Sequence, residues 1–164
     1  MKRTSALRPH YLDASALVKL VVDEQYSSRV RAYVETQSWR VCTSYCFVEA
    51  LGALKLKKER GELSERAYIA GSRRLIGTVR NSRIKLLEDI PSSSVAFAEA
   101  ERMVKAYGID FLDAFQIISV KDSWHYLAAK SKPILITADN KLSEAATKED
   151  IKSWYCRETR RPKM

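Results

Sequence analysis

The sequence contains no long hydrophobic run. A membrane-spanning helix needs about 20 consecutive apolar residues, and no segment of the 164 residues provides them. The N-terminus is basic, with Lys2, Arg3 and Arg8, but the apolar stretch that a signal peptide requires does not follow it. These absences predict a cytoplasmic chain without a membrane partner.

Cysteine and histidine are scarce. The three cysteines, Cys42, Cys46 and Cys156, cannot all pair within one chain, so we expect free, buried thiols in a reducing compartment. The spacing of Cys42 and Cys46 differs from that of a zinc knuckle, and only His10 and His125 are available as additional ligands. A structural zinc site is therefore not expected.

The glycine motifs that bind phosphates in nucleotide-binding α/β proteins are missing. A dinucleotide-binding domain has G-x-G-x-x-G after its first strand, where this chain has Asp13-Ala-Ser-Ala, and a P-loop is absent as well. A haloacid-dehalogenase-like phosphatase would use a strand-ending aspartate as its nucleophile, with a second aspartate two residues later. That alternative stays open, although Ser15 occupies the second position.

Acidic residues are outnumbered by basic ones. The chain has 29 Lys and Arg against 20 Asp and Glu, a formal charge of +9 that favours a polyanionic partner. Residues 52–85 contain ten basic residues and three glutamates, and residues 157–164 contain four basic residues and one glutamate. Either cluster alone is explained by a solvated helix face or a frayed tail. A binding surface is favoured only if the rest of the chain indicates chemistry on an anion.

Short apolar segments alternate with helix-length segments along the chain. Every gap between predicted strands holds at least one helix, which predicts an α/β fold: a parallel sheet between two helix layers. No linker divides the chain, so residues 1–164 are expected to form one domain, with a core at about 9–156 and a basic tail at 157–164. The predicted strands are 10–12, 40–43, 84–88, 133–137 and 151–155, and the predicted helices are 14–22, 26–37, 44–60, 65–80, 95–106, 112–129 and 141–147.

Four carboxylates are predicted at the carboxyl edge of this sheet. Asp13 ends the first strand, Glu49 lies early in the helix after the second strand, Asp113 lies near the start of the helix before the fourth strand, and Asp139 follows the fourth strand. Each alone is explained by helix capping or the helix dipole. Together they would repel by about 4 kcal/mol per pair at about 4 Å, which a fold tolerates when cations or protons neutralise them.

Oxygen ligands without histidine or cysteine select hard cations, so the expected cofactor is Mg²⁺ or Mn²⁺. Such a site suits the hydrolysis of a phosphodiester bond. Asp110 is an additional candidate ligand, because it faces the same side as Asp113 if the helix begins early enough.

Three polar residues are predicted to support this site. The hydroxyl groups of Ser15 and Thr137 are placed either to orient Asp13 and Asp139, or a metal-bound water, or to act as ordinary caps. Asn140 is either a ligand to a metal-bound water or a turn residue.

Four segments carry a resemblance to a known family. They are residues 11–19 (Tyr-Leu-Asp-Ala-Ser-Ala-Leu-Val-Lys), 43–49 (Thr-Ser-Tyr-Cys-Phe-Val-Glu), 111–117 (Phe-Leu-Asp-Ala-Phe-Gln-Ile) and 135–139 (Leu-Ile-Thr-Ala-Asp). In order and spacing they resemble the PIN-domain family, especially its small VapC-like ribonuclease toxins. The resemblance implies a parallel sheet flanked by helices, a metal site at Asp13, Glu49, Asp113 and Asp139, and endonucleolytic cleavage of single-stranded RNA.

The resemblance also implies partners. A small antitoxin would neutralise the nuclease, and the chain would form a homodimer. The helix pair 44–60 and 64–82 would form the clip-like region on which antitoxins dock. Its basic side chains are also the leading RNA-binding candidates: Lys55, Lys57, Lys58, Arg73 and Arg74. The alternative function is a catalytically silent PIN-like module for RNA binding or assembly, against which the presence of all four acids argues.

Overall fold

The computed structural model describes residues 8–88, 91–123 and 132–158. Within these ranges, one or two helices separate each strand from the next along the chain. The strands are β1 (His10–Leu12), β2 (Arg40–Thr43), β3 (Lys85–Leu87), β4 (Ile134–Thr137) and β5 (Lys152–Tyr155). The helices are α1 (Ala14–Val21), α2 (Ser27–Val34), α3 (Ser44–Glu59), α4 (Glu65–Arg80), α5 (Ser94–Tyr107), α6 (Phe111–Lys121) and α7 (Asn140–Lys148).

The five strands form one parallel sheet in the order β3-β2-β1-β4-β5. Strand β1 is central: Tyr11 is in register with Val41 of β2 on one side and with Leu135 of β4 on the other. Since all strands run the same way, their carboxyl ends meet at one edge. The helices that follow β1, β2 and β4 begin at that edge.

Side chains on the central strands alternate between two apolar layers, as a pleated sheet requires. Leu12 and Ile136 pack with residues of α1, α2, α3 and α4 on one face. Tyr11 and Leu135 pack with residues of α5, α6 and α7 on the other. The fold is therefore a three-layer α/β/α arrangement, which confirms the predicted fold class.

Helix ends follow local hydrogen bonding. Ser64 caps α4 as predicted, accepting from the Ala67 amide at 3.1 Å. Gly108 ends α5 at a positive φ of 66°, a conformation that glycine adopts without strain. The predicted helix 26–37 instead ends at Val34, because the side chains of Thr36 and Gln37 both donate to the Tyr33 carbonyl and close the chain into a turn.

Other boundaries also differ from the predicted ones. The third strand is shorter than 84–88, covering only Lys85–Leu87. The helix predicted at 112–129 is described from Phe111 to Lys121, with Asp122 as its C-cap, and 124–131 lies outside the described residues. Across the described part of the chain, no helix has the length and hydropathy needed to cross a membrane.

All three cysteines are free and buried, which confirms the expectation for their thiols. Burial raises the pKa of Cys42 to about 12. His10 is also buried, in β1, whereas His125 lies outside the described residues.

Candidate metal centre

Asp13 lies at the carboxyl end of the central strand and is buried, with 5% of its surface exposed. It is the N-cap of α1: Oδ1 accepts the Ala14 amide at 2.6 Å and Oδ2 accepts the Ser15 amide at 3.2 Å. Burial raises the pKa of this carboxyl, and the surrounding hydrogen bonds work in the opposite direction. The structure therefore places a carboxylate with a fixed orientation at the centre of the sheet edge.

Two hydroxyl groups hold the same oxygen of Asp13. Ser15 Oγ donates to Oδ2 at 2.6 Å, and Thr137 Oγ1 donates to it at 2.8 Å. Thr137 reaches Asp13 because β1 and β4 are neighbouring strands, with Leu12 paired to Ile136. Both hydroxyls thus orient Asp13, as one of the two predicted roles requires.

Glu49 comes from the second turn of α3, the helix that follows β2. Its carboxylate, an oxygen of Asp13 and Sγ of Cys46 lie within 4.8 Å of one another, so they form a group that can hold a metal ion. Glu49 is exposed to solvent as a residue. Partial burial of its carboxyl group and the charges of Asp13 and Asp110 raise the pKa of Glu49 to about 7.

Cys46 is the member of this group that the sequence analysis did not assign to the site. The i, i+3 spacing of Cys46 and Glu49 in a helix was the available signal, since it puts both on one face. Burial and the negative charge of Asp13 raise the pKa of the thiol, so it stays protonated at neutral pH. A protonated thiol is a poor metal ligand, and the carboxylate oxygens remain the effective donors.

Asp113 approaches the group from α6. Tyr45 of α3 and Ser119 of α6 are hydrogen-bonded through their side chains at 2.8 Å, which joins the two helices. Burial, followed by the charges of Asp110, Asp13, Asp139 and Glu49, raises the pKa of Asp113 to about 8. The other four predicted acids are therefore close enough to act on Asp113.

Asp110 and Asp139 are exposed N-caps at the rim of the site. Asp110 accepts the Asp113 amide at 2.9 Å and starts α6, so this helix begins early enough to place both acids together. Asp139 starts α7 and accepts the amides of Lys141 and Leu142 at 2.7 and 3.1 Å. Each acid therefore has a capping role as well as a place near the site.

The tight group is smaller than the predicted ligand set. In the ranges that the structure covers, no set of three or more ligand atoms within 4.8 Å of one another includes Asp110, Asp113 or Asp139. The carboxylates of Asp110 and Asp139 instead accept backbone amides at the starts of α6 and α7.

Asn140 follows Asp139 and makes a contact within its own helix. It is the first residue of α7, and its Nδ2 donates to Glu144 Oε1 at 2.6 Å. This helical position does not match the predicted turn residue, and the predicted role as a ligand to a metal-bound water stays a prediction.

Among the described residues, the acids have no cationic partner. In residues 8–88, 91–123 and 132–158, no ion pair involves Asp13, Glu49, Asp110, Asp113 or Asp139. Within these ranges, backbone and hydroxyl hydrogen bonds and proton binding are what offset their mutual repulsion. Uncompensated oxygen ligands of this kind fit a hard divalent cation.

The predicted RNA-binding lysines are already paired. Lys55 contacts Glu59 at 3.3 Å, and Lys58 contacts Glu65 at 2.7 Å. Lys57 contacts both Glu24 and Glu62 at 2.9 Å. These pairs offset much of the positive charge counted along α3.

The two arginines of the predicted set are exposed on α4. Arg74 Nη1 donates to the Val21 carbonyl at 3.5 Å. Arg73 lines a shallow surface groove with Arg66 and Ile69. An RNA-binding role for these two residues and the three lysines stays a prediction.

Comparison with known proteins supports the fold. No family model matches the sequence, and no curated protein matches it. Among solved structures, the crystal structure of PAE2754 from Pyrobaculum aerophilum matches with a TM-score of 0.57 and 23% sequence identity. The match covers 93% of this chain and 89% of that chain. Similarity at this level of identity establishes a shared fold.

Proposed function

We propose that this chain is a divalent-metal-dependent endoribonuclease that cleaves single-stranded RNA, and that it is a PIN-like domain of the VapC-like branch. The supporting observation is the carboxylate group at the carboxyl edge of the sheet, which pairs with no cation among the described residues and in which an oxygen of Asp13 and one of Glu49 lie within 4.8 Å. The four resembling segments carry Asp13, Glu49, Asp113 and Asp139, and all four acids contribute to this group or to its electrostatic field.

Asp13 and Glu49 would hold Mg²⁺ or Mn²⁺, with Asp113 and Asp139 at the rim. A bound divalent ion supplies electrostatic stabilisation of the phosphate and lowers the pKa of a bound water. Ser15 and Thr137 keep Oδ2 of Asp13 in one orientation, so little reorganisation is needed when a ligand binds. Asp113, whose pKa is raised by burial and like charge, is suited to accept or release a proton near neutral pH.

The remaining parts of the proposal follow the resemblance. A cytoplasmic location, a small antitoxin partner and a homodimer stay predictions. The silent-module alternative also predicts RNA binding, because basic surfaces bind phosphates without chemistry. The silent module differs from the nuclease in that it predicts no metal-dependent cleavage of RNA.

The decisive experiment measures cleavage of single-stranded RNA with Mg²⁺, Mn²⁺ or EDTA. We expect cleavage in either metal and none in EDTA, and we expect Asp13→Asn and Asp113→Asn to slow it at least about 100-fold, a loss of about 2.7 kcal/mol in transition-state stabilisation. Asp122→Asn is the matched control, because Asp122 is an exposed aspartate at the other end of α6. Binding without cutting would favour the silent module, and equal cutting by all folded variants would refute the assignment.

A further inference from the structure

A cavity of about 310 Å³ adjoins the carboxylate group. It lies between α1, α3 and the segment that follows β5. Ser15 and Asp139 form part of its wall and belong to the carboxylate site described above. Its charged lining residues are Lys19, Glu24, Lys57, Asp139 and Arg157.

The two lysines are balanced by glutamates. Lys19 is buried and contacts Glu24 at 2.5 Å, while Lys57 contacts Glu24 and Glu62, each at 2.9 Å. Burial acts to raise the pKa of Glu24, but the two lysines outweigh it and the pKa is lowered. Glu24 is thus ionised, and the lysines carry little charge beyond what the glutamates offset.

Arg157 supplies the uncommitted positive charge. It is exposed, and no described residue forms an ion pair with it. A guanidinium group next to a pocket suits a phosphate, because its donors match phosphate oxygens in pairs.

The backbone around Arg157 is held firmly, although the sequence analysis placed the start of the basic tail here. The Cys156 amide donates at 2.8 Å to the carbonyl of Thr137, the residue whose hydroxyl orients Asp13. Arg29 Nη1 donates to the carbonyl oxygens of Cys156, at 3.3 Å, and of Glu158. The residues on both sides of Arg157 are therefore fixed beside the carboxylate site.

We propose that this cavity is a phosphate subsite in which Arg157 binds a phosphodiester of the single strand, next to the one that reaches the carboxylates. This inference rests on the proposed function for the identity of the ligand. It also accounts for an arrangement that cleavage alone does not require: an arginine whose neighbouring backbone is held at the rim of an acidic group. The acids repel a polyanion, and a cation beside them offsets that repulsion.

The test measures binding of a fluorescent oligouridylate by anisotropy, in EDTA, over a series of KCl concentrations. For a single strand, each phosphate contact contributes a slope of about −0.7 to log K against log salt. We expect the slope of Arg157→Gln to be less negative than that of the wild type by about 0.7, and its binding to be several-fold weaker at low salt. Arg157→Lys should keep the wild-type slope. The control is Arg83→Gln, an exposed arginine that precedes β3 at the opposite edge of the sheet.

An unchanged slope in Arg157→Gln, an equal loss in Arg83→Gln, or no binding by the wild type would each overturn the subsite. Cleavage assays on the same proteins separate the two proposals. If the wild type does not cut RNA but Arg157→Gln lowers the slope, the subsite stands and the nuclease assignment fails. If the wild type cuts and the slope is unchanged, the nuclease stands and the subsite fails.

Discussion

Thr137 donates its hydroxyl proton to Oδ2 of Asp13 at 2.8 Å, although 124 positions separate the two residues in the chain. The same hydroxyl oxygen accepts the amide of Asp139 at 2.9 Å. The Thr137 side chain on β4 therefore fixes Asp13, at the end of β1, relative to the backbone of Asp139, at the start of α7.

Replacing this hydroxyl by a methyl group tests its positioning role. We expect Thr137→Val to slow RNA cleavage about tenfold, or about 1.4 kcal/mol, because Oδ2 of Asp13 loses a donor and becomes less well oriented. Unfolding by urea should show a loss of about 1 kcal/mol in stability. The control is Thr147→Val, whose hydroxyl bonds the Ser143 carbonyl on α7. A full cleavage rate in Thr137→Val would show that the hydroxyl does not position Asp13.

The carboxylate group predicts an unusual dependence of stability on pH in EDTA. The pKa values of Glu49 and Asp113 are raised to about 7 and about 8, so between the unfolded and folded pKa values the native state binds more protons than the unfolded state. The free energy of unfolding should therefore fall as pH rises from about 5 to about 8, and then level off. Urea unfolding at pH values across this range measures the free energy of unfolding.

Asp113→Asn removes the larger of the two pKa shifts, so the free energy of unfolding of this variant should vary less with pH. Asp122→Asn should keep the pH dependence of the wild type. The neutral variant Asp113→Asn should also be more stable than the wild type at about pH 8, since it removes a half-buried like charge. Stability that rises with pH in the wild type, or an unaltered profile in Asp113→Asn, would contradict the close approach of these acids.

A bound divalent ion should offset the repulsion among the clustered carboxylates and so stabilise the folded state. At a Mn²⁺ concentration of about 100 times the dissociation constant, we expect the folded state to gain about 2.7 kcal/mol, measured as an increase in the thermal midpoint. Binding near pH 7 should release protons, because the raised pKa values of Glu49 and Asp113 leave them partly protonated before the ion binds. Calorimetry in buffers of different ionisation enthalpy counts those protons.

The same titration with Asp13→Asn should show little stabilisation, and Asp122→Asn should respond as the wild type does. If Mn²⁺ stabilises Asp13→Asn as strongly as the wild type, the ion binds elsewhere on the protein.

The thiols provide a separate test of the core. Cys42, Cys46 and Cys156 are buried, and burial raises the pKa of each, so the reactive thiolate is rare and inaccessible in the folded protein. We expect a disulfide-exchange reagent at about pH 8 to modify them only after unfolding in urea. Rapid modification of any one of them in the native protein would place that thiol at the surface.

The fold was predictable because the hydrophobic pattern and the helix-capping residues indicate the same helices and strands. The segment 134–137 reads as a buried strand, and Ser64 and Gly108 mark helix boundaries through chemistry that depends on a few neighbouring atoms. The end of α2 was not predictable to the residue, since it depends on how the side chains of Thr36 and Gln37 compete for one carbonyl.

The site was predictable to the extent that it follows from strand ends. Parallel strands bring Asp13 and Asp139 to one edge wherever they lie in the chain. The close approach of Cys46 depends on which face of α3 packs inward, and the bond from Asn140 to Glu144 depends on a single rotamer. The placement of the backbone beside Arg157 depends on a bond from Arg29 to the Cys156 carbonyl, 127 positions along the chain, that no local pattern reveals.

Three of the acids, Asp13, Asp110 and Asp139, also begin a helix by accepting backbone amides. Asparagine begins a helix almost equally well, so the negative charge at these positions is separable from the architecture. One base change per aspartate codon is enough to remove these three charges while the helices still start where they did. If the proposed function holds, a lineage built on this plan can therefore lose its metal site without passing through an unfolded intermediate.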